Sequence, residues 1–91
     1  MIVEKSFAYF PITGASVELI PGSQQLQQFA RVGYQQVAEW GECVAGAYVK
    51  VIALTFPEAP AGRLLKKLDF SALCRRLIAK QQKQEGSRRA A

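Results

Sequence analysis

The sequence predicts a small α+β domain with a three-stranded sheet and its helices on one face. Two short alternating segments near the start, an amphipathic helical pattern after them and a nearly continuous apolar run in mid-chain support this fold class. The predicted order is a β-hairpin, a helix, a strand and a final helix that a change of phase divides in two. The chain has 91 residues, of which 49% are hydrophobic and 21% charged, as expected of one folded domain.

The first predicted element is the hairpin. Residues 2–12 are rich in aromatic and β-branched side chains, and residues 16–20 alternate again after a turn that contains glycine. We interpret Phe7, Tyr9 and Phe10 as core residues, with stacking on nucleic-acid bases as the alternative. Adjacent strand residues point to opposite faces, so at most one side of this set is free for a ligand.

An amphipathic helix is predicted over residues 23–40, with Ser23 as its N-cap. Apolar residues recur there at steps of three and four, and glutamines fill the opposite face. Gly33 lies in the apolar stripe and is expected to mark a close packing contact. A hydrated surface is the simpler interpretation of the glutamine face, and a protein interface is the alternative. The residues assigned to that interface are Gln28, Arg31, Tyr34, Gln35 and Trp40.

The next predicted element is a strand between Val44 and Phe56. Lys50 is the only charged residue in this run, which places the strand in the middle of a sheet or in an oligomer interface. Residues 57–62 contain two prolines and a glycine and are predicted to form a hinge.

Two helical pieces are predicted after the hinge. The second is expected to begin with Asp69 or Ser71 as its cap. We expect residues 1–85 to form a single α+β domain and residues 86–91 to form a flexible basic tail.

The segment from Tyr48 to Glu58, followed by two helical pieces, resembles the ribbon-helix-helix repressors, in which a strand precedes a helix that starts at Pro-Glu. The resemblance implies a dimer that pairs this strand with its twin and places alternate side chains in the DNA major groove. The outward residues Val51, Ala53 and Thr55 offer few groups for reading base edges. The first 47 residues also lie outside the resemblance, which therefore supports no family assignment.

Charge is distributed unevenly along the chain. Residues 1–62 hold three basic and five acidic residues, a net charge of −2, whereas residues 63–91 hold nine of the twelve Lys and Arg and carry +7. This pattern predicts an anionic partner, nucleic acid first and an acidic protein surface second, although a hydrated helix face that aids solubility is the plainer alternative. The residues expected to bind the anion are Lys66, Lys67, Arg75, Arg76, Lys80, Lys83, Arg88 and Arg89.

Catalytic chemistry is not expected. The chain contains no histidine, which removes the commonest general base near neutral pH, and its seven carboxylates are scattered. Cys43 and Cys74 have no second pair of ligands beside them, so we expect no zinc site and interpret both as buried thiols. No cofactor and no small-molecule substrate are expected.

The sequence therefore predicts a non-enzymatic nucleic-acid-binding or regulatory accessory protein that binds phosphate through its basic C-terminal helix and tail. A homodimer in the cytoplasm is expected. No uncharged apolar run approaches the ~18 residues of a membrane helix, so no membrane span is expected. Attachment to an anionic membrane ranks third, after nucleic acid and an acidic protein surface, because the last helix is basic and amphipathic but short, so no membrane partner is expected. The alternative function is a protein-interaction module, such as an adaptor, an inhibitor or an assembly subunit, that uses the glutamine-rich face and exposed aromatic residues.

Overall fold

A mixed β-sheet with a helix on each of its faces forms the framework of the protein. The computed structural model describes residues 3–57 and 62–90, without the side chains of residues 64 and 82–90. Within these ranges the α+β class is confirmed, but the sheet has four strands where three were predicted. The elements are β1 (Val3–Phe10), β2 (Ala15–Leu19), α1 (Gln25–Arg31), β3 (Gln35–Val44), β4 (Ala47–Thr55), α2 (Gly62–Lys67) and α3 (Phe70–Ala90).

The strand order is β2-β1-β4-β3. β1 and β2 pair antiparallel, which confirms the predicted hairpin, and Gly14 closes its turn with a φ of 77°. β3 and β4 also form a hairpin, joined by Ala45 and Gly46. Both turn residues have positive φ, 51° and 83°, as a two-residue type I′ turn requires.

β4 occupies the centre of the sheet. It pairs parallel with β1 on one edge and antiparallel with β3 on the other. Its apolar character on both sides is therefore explained by burial on both faces, as one of the two predicted placements requires. Because both edges are paired within the chain, β4 is not free to pair with a twin strand in the way the ribbon-helix-helix resemblance implies.

The predicted helix over residues 23–40 is wrong in its second half. α1 ends at Arg31, and Gly33 follows it with a φ of 106°. The Tyr34 N–H donates to the Phe29 carbonyl (3.1 Å) and the Gly33 N–H to the Ala30 carbonyl (3.1 Å), the two bonds of a Schellman motif. The Phe29 and Tyr34 rings meet edge to face at 5.8 Å, which supplies the apolar contact that accompanies this motif.

The start of α1 also differs from the prediction. Gln24, not Ser23, occupies the N-cap position, and the Gln24 side chain forms no capping hydrogen bond with the described residues. The Ser23 hydroxyl instead donates to Gln25 Oε1 (2.9 Å), which also accepts from the Ile20 N–H (2.7 Å). Gln25 thus fixes the loop that leads from β2 into α1.

Residues 35–44 form the edge strand β3, although the sequence pattern indicated a helix as far as residue 40. The strand runs beside β4 from the Gln35–Thr55 pair to the Val44–Ala47 pair, with a bulge between Gln36 and Ala38. Most of its side chains are exposed because only one edge is paired and only part of one face is covered. The pairing with β4 has overridden the helical periodicity of the sequence.

The two faces of the sheet carry separate apolar clusters, so the helices do not share one face as predicted. We call the side under α3 the closed face and the side under α1 the open face. The closed-face cluster consists of Phe7, Tyr9, Val49, Val51, Leu73, Cys74, Leu77 and Ile78. The open-face cluster consists of Ala8, Leu19, Ile52 and Leu54, with Phe10, Phe29 and Tyr34 packed against it.

Residues 58–61 of the predicted hinge lie outside the described residues, and the flexible tail over residues 86–91 stays a prediction. Asp69 is confirmed as the cap of α3, because its Oδ1 accepts the Ala72 N–H at 3.1 Å. Among the described helices, none is both long and apolar enough to cross a bilayer.

Candidate functional site

The last helix, α3, presents one face to the sheet and another to solvent. Leu73, Cys74, Leu77 and Ile78 recur at helical spacing and are each no more than 6% exposed. They pack onto Phe7, Tyr9, Val49 and Val51 of the closed face. Arg75 and Arg76 lie between them and point away from the sheet, and Lys80 follows them on the side of the helix; all three are exposed.

Contacts with β3 hold the first turn of α3 in place. The Ser71 hydroxyl donates to Glu42 Oε2 at 2.8 Å, and the Trp40 Nε1–H donates to Glu42 Oε1 at 3.4 Å. The Trp40 and Phe70 rings stack with their centroids 5.8 Å apart. Together with the buried stripe, these contacts fix the rotation of α3 about its own axis and so the direction of its exposed cations.

Several exposed cations of α2 and α3 have no ionic partner among the described residues. The two ion pairs found there join Lys5 to Glu18 (3.9 Å) and Lys50 to Glu39 (2.9 Å), so both lie within the sheet. Lys80 lines a shallow pocket with Glu18 but forms no ion pair with it. The exposed cations of α2 and α3 that form no ion pair with the described residues are Arg63, Lys66, Lys67, Arg75, Arg76 and Lys80.

We call Arg75, Arg76 and Lys80 the α3 cation surface. Their exposure agrees with the sequence analysis, which placed them off the apolar stripe. Lys66 and Lys67 are exposed in the last turn of α2. The side chains of Lys83, Arg88 and Arg89 lie outside the described part of the chain, so their assignment stays a prediction.

The residues assigned to a protein interface do not form one surface. That assignment assumed a single helix over residues 23–40, which the structure divides into α1 and β3. Trp40 lies on the closed face against Phe70. Tyr34 lies on the open face, stacked on Phe56 at 4.2 Å. The other three assigned residues, Gln28, Arg31 and Gln35, are exposed on α1 and β3.

The aromatic residues of β1 serve the core, as the sequence analysis favoured. Phe7 is 5% and Tyr9 8% exposed beneath α3, so neither offers a face to a base. Phe10 points to the open face, where it meets Phe29 and Tyr34 edge to face at 5.4 and 5.1 Å. The alternative of a base-stacking platform on this strand is not supported.

The two cysteines lie in different environments, and both are free thiols. Cys74 is buried as predicted, and burial, with the carboxylate of Glu42 beside it, raises the pKa of its thiol to about 11. A thiol with that pKa is protonated at neutral pH and is a poor nucleophile. Cys43 is exposed on β3, which corrects the prediction that both are buried, because the edge strand leaves its side chain uncovered.

The open face contains two grooves that the sequence analysis missed. One, of about 560 Å³, lies between the start of α1 and the sheet, with Leu19 and Ile52 among its lining residues. The other, of about 390 Å³, is lined mainly by apolar residues, including Phe10, Leu54 and Phe56. A helix over residues 23–40 would have covered this face, so the sequence analysis predicted neither groove.

The sheet edge carries one further polar contact. Glu39 is exposed and Lys50 is half-buried, and the hydrogen bond from the Lys50 ammonium lowers the pKa of the Glu39 carboxyl and raises the pKa of Lys50. Within the described residues, no three Cys, Asp or Glu side chains lie together as a metal site would require.

Comparisons of the chain with models of protein families, with curated proteins and with solved structures find no match.

Proposed function

We propose that this protein is a non-enzymatic nucleic-acid-binding or regulatory accessory protein. The α3 cation surface, assisted by Lys66 and Lys67 of α2, binds the phosphate backbone. Phosphate contacts of this kind supply affinity with little selectivity for base sequence. Lys83, Arg88 and Arg89 extend the same basic segment in the sequence.

The observation that supports this proposal is the exposure of Arg75, Arg76 and Lys80 on a helix with a fixed orientation. A cation already held in an ion pair must lose that partner before it can bind phosphate. These three form no ion pair with the described residues. Each is therefore available to displace a condensed counterion from a nucleic acid.

The test is the salt dependence of binding, measured by fluorescence anisotropy with labelled duplex and single-stranded nucleic acids. Binding should weaken steeply with salt, because each phosphate contact on duplex DNA contributes about 0.9 to the slope of log K against log salt. Arg75→Gln and Arg76→Gln should each lower the affinity and flatten that slope by about 0.9.

Arg31→Gln is the matched control. Arg31 is exposed on α1 over the open face, so this change removes the same charge from the other side of the sheet. Its slope should equal that of the unmodified chain. Equal losses of affinity for Arg31→Gln and Arg76→Gln would mean that only the total charge of the chain matters for binding. The absence of binding at low salt would refute the proposal.

The second candidate function is a protein-interaction module, with the open face in place of the predicted glutamine surface. Ile12 and Phe56 are 49% and 44% exposed beside the 390 Å³ apolar groove. Exposed apolar side chains that border a groove are typical of protein interfaces.

We assign the expected self-association to this face, and sedimentation velocity over a range of concentrations tests it. A monomer throughout would contradict the homodimer, and a dimer dissociated by Ile12→Thr would support it.

A further inference from the structure

The outward face of α3 has small side chains at its centre and cations at its flanks. Ala72 and Ala79 are both exposed and, seven residues apart on a helix, lie within about 20° of each other around the axis. Arg75 lies about 50° to one side of these alanines and Arg76 about 50° to the other. Lys80 lies farther round on the side of Arg76, at about 90°.

The direction of this face is set by the packing of α3. Leu73, Cys74, Leu77 and Ile78 are buried against the sheet, so Ala72 and Ala79 point nearly straight away from it. Ser71 is bonded to Glu42 of β3, and Arg75 lies one turn farther along on the same side. Lys80 lines a pocket with Ser16 and Glu18 of β2, on the opposite side. Over residues 72–80 the two cationic flanks are thus separated by an uncharged ridge, and Lys83 follows it about 30° from the line of the alanines.

We propose that α3 binds duplex DNA by lying in the major groove, with Ala72 and Ala79 against the groove floor. Arg75 contacts the phosphates of one strand, while Arg76 and Lys80 contact those of the other. This inference rests on the proposed function and specifies the form of nucleic acid that the site takes. The major groove of B-form DNA is about 12 Å wide and admits an α-helix.

The same geometry excludes two other nucleic acids from a close fit. The major groove of A-form duplex RNA is deep and narrow, and side chains cannot read it. A single strand presents one backbone, so it engages only one of the two cationic flanks. Tight single-strand binding also depends on aromatic stacking, and the exposed centre of α3 has alanines in that place.

The experiment compares three labelled ligands of one sequence, a short DNA duplex, the matching RNA duplex and single-stranded DNA, with the full chain. We expect at least about tenfold tighter binding to the DNA duplex than to the RNA duplex, because only the DNA groove admits the helix. Ala79→Leu adds bulk to the ridge without changing charge, and leucine is a good helix former at this exposed position. It should weaken DNA-duplex binding at least about tenfold and leave RNA-duplex binding nearly unchanged.

Ala30→Leu on α1 is the control, since Ala30 is exposed on a helix on the other side of the sheet. It should leave all three affinities unchanged, and circular dichroism should show that both variants fold. If the three ligands bind with equal affinity and Ala79→Leu does not change the affinity for the DNA duplex, the groove inference is overturned, while the proposed function is not. A chain that binds none of the ligands at low salt overturns both.

Discussion

The two faces of the sheet are covered in different ways, although they share the same four strands. On the closed face, α3 places four buried side chains in successive turns on the central strands. On the open face, α1 has seven residues, none of them buried, and it reaches the sheet mainly through Phe29. A long helix with a regular apolar stripe therefore excludes solvent, while a short one leaves grooves beside it.

The side chains that stabilise the fold are thus distinct from the side chains that we propose bind partners. The closed face holds the best-packed side chains, and the helix that covers it carries the cations on its other side. The open face carries the exposed apolar residues Ile12, Leu26 and Phe56. Substitutions of the buried closed-face residues should thus change folding most, whereas substitutions of the exposed open-face residues Ile12, Leu26 and Phe56 should be tolerated.

The largest expected effect is that of Leu73→Ala on the closed face. Leu73 is 1% exposed at the centre of its cluster, so truncation should leave a cavity and cost about 3–5 kcal/mol of unfolding free energy. Leu26→Ala on α1 should cost under about 1 kcal/mol, because Leu26 is 38% exposed. Urea denaturation of both variants measures the difference, and similar losses would show that the two faces are equally well packed.

The second prediction concerns the pH dependence that Cys74 adds to stability. Burial raises the pKa of this thiol from 9.0 to about 11 in the folded chain, so folding favours the protonated form. The associated stability is complete below about pH 9 and is lost as the pH rises towards 11, a change of about 2–3 kcal/mol.

Cys74→Ala is the comparison that isolates this contribution, because the thiol is the only titratable group that the substitution removes. The unfolding free energy of the unmodified chain, measured by urea denaturation under reducing conditions, should fall more steeply between pH 9 and 11 than that of the variant. Parallel pH profiles would mean that solvent reaches the closed face at Cys74.

How far the sequence predicted this fold depended on how strongly each segment was patterned. The first hairpin and the central strand β4 were predicted because their apolar and β-branched residues are dense and the glycines at their ends mark turns. The buried stripe of α3, from Leu73 to Ile78, was predicted from its spacing. The exposure of Arg75, Arg76 and Lys80 followed from the same spacing.

The region from α1 to β3 could not be predicted in the same way. Strand β3 lies at an edge with most side chains exposed, so it lacks the clear alternation of a half-buried strand. Strand β3 is held in place by its pairing with β4 and not by an alternating pattern in its own sequence. One local signal was present, since Gly33 followed by Tyr34, with Phe29 five residues earlier, fits a helix end with a Schellman motif. This signal indicates that Tyr34 and Trp40 do not belong to one helix. It therefore argues against the interface that was predicted from a single helix.

The third prediction tests that helix end. Gly33→Ala should cost about 1–2 kcal/mol, because the backbone at φ 106° strains any residue with a Cβ. The added Cβ would also lie 3.3 Å from Phe56 Cε1. Gly14→Ala is the control, with positive φ but no neighbour among the described residues within 4 Å, and it should cost about 1 kcal/mol. Thermal or urea unfolding of both variants gives the comparison, and a smaller loss for Gly33→Ala than for Gly14→Ala would contradict the close contact.

The smallest expected effect is that of Gly41→Ala, which tests how freely the open face can rearrange. The Tyr48 ring lies across Gly41 on the neighbouring strand, and an added Cβ would come within 2.7 Å of Tyr48 Cζ. Tyr48 is 38% exposed, so its ring can rotate into solvent, and alanine suits a strand better than glycine. The two effects oppose each other, and we expect a net change within about 1 kcal/mol.

A double-mutant cycle with Tyr48→Ala separates these two effects. In the Tyr48→Ala background the overlap is gone, so Gly41→Ala should become neutral or stabilising, and the change in near-ultraviolet circular dichroism seen in the single variant should disappear. A loss for Gly41→Ala as large as that for Leu73→Ala would mean that Tyr48 is held as firmly as the closed-face residues. The contrast between a rigid face under α3 and an adaptable face under α1 would then fail, because the overlap at Gly41 is relieved cheaply only where neighbouring side chains can move.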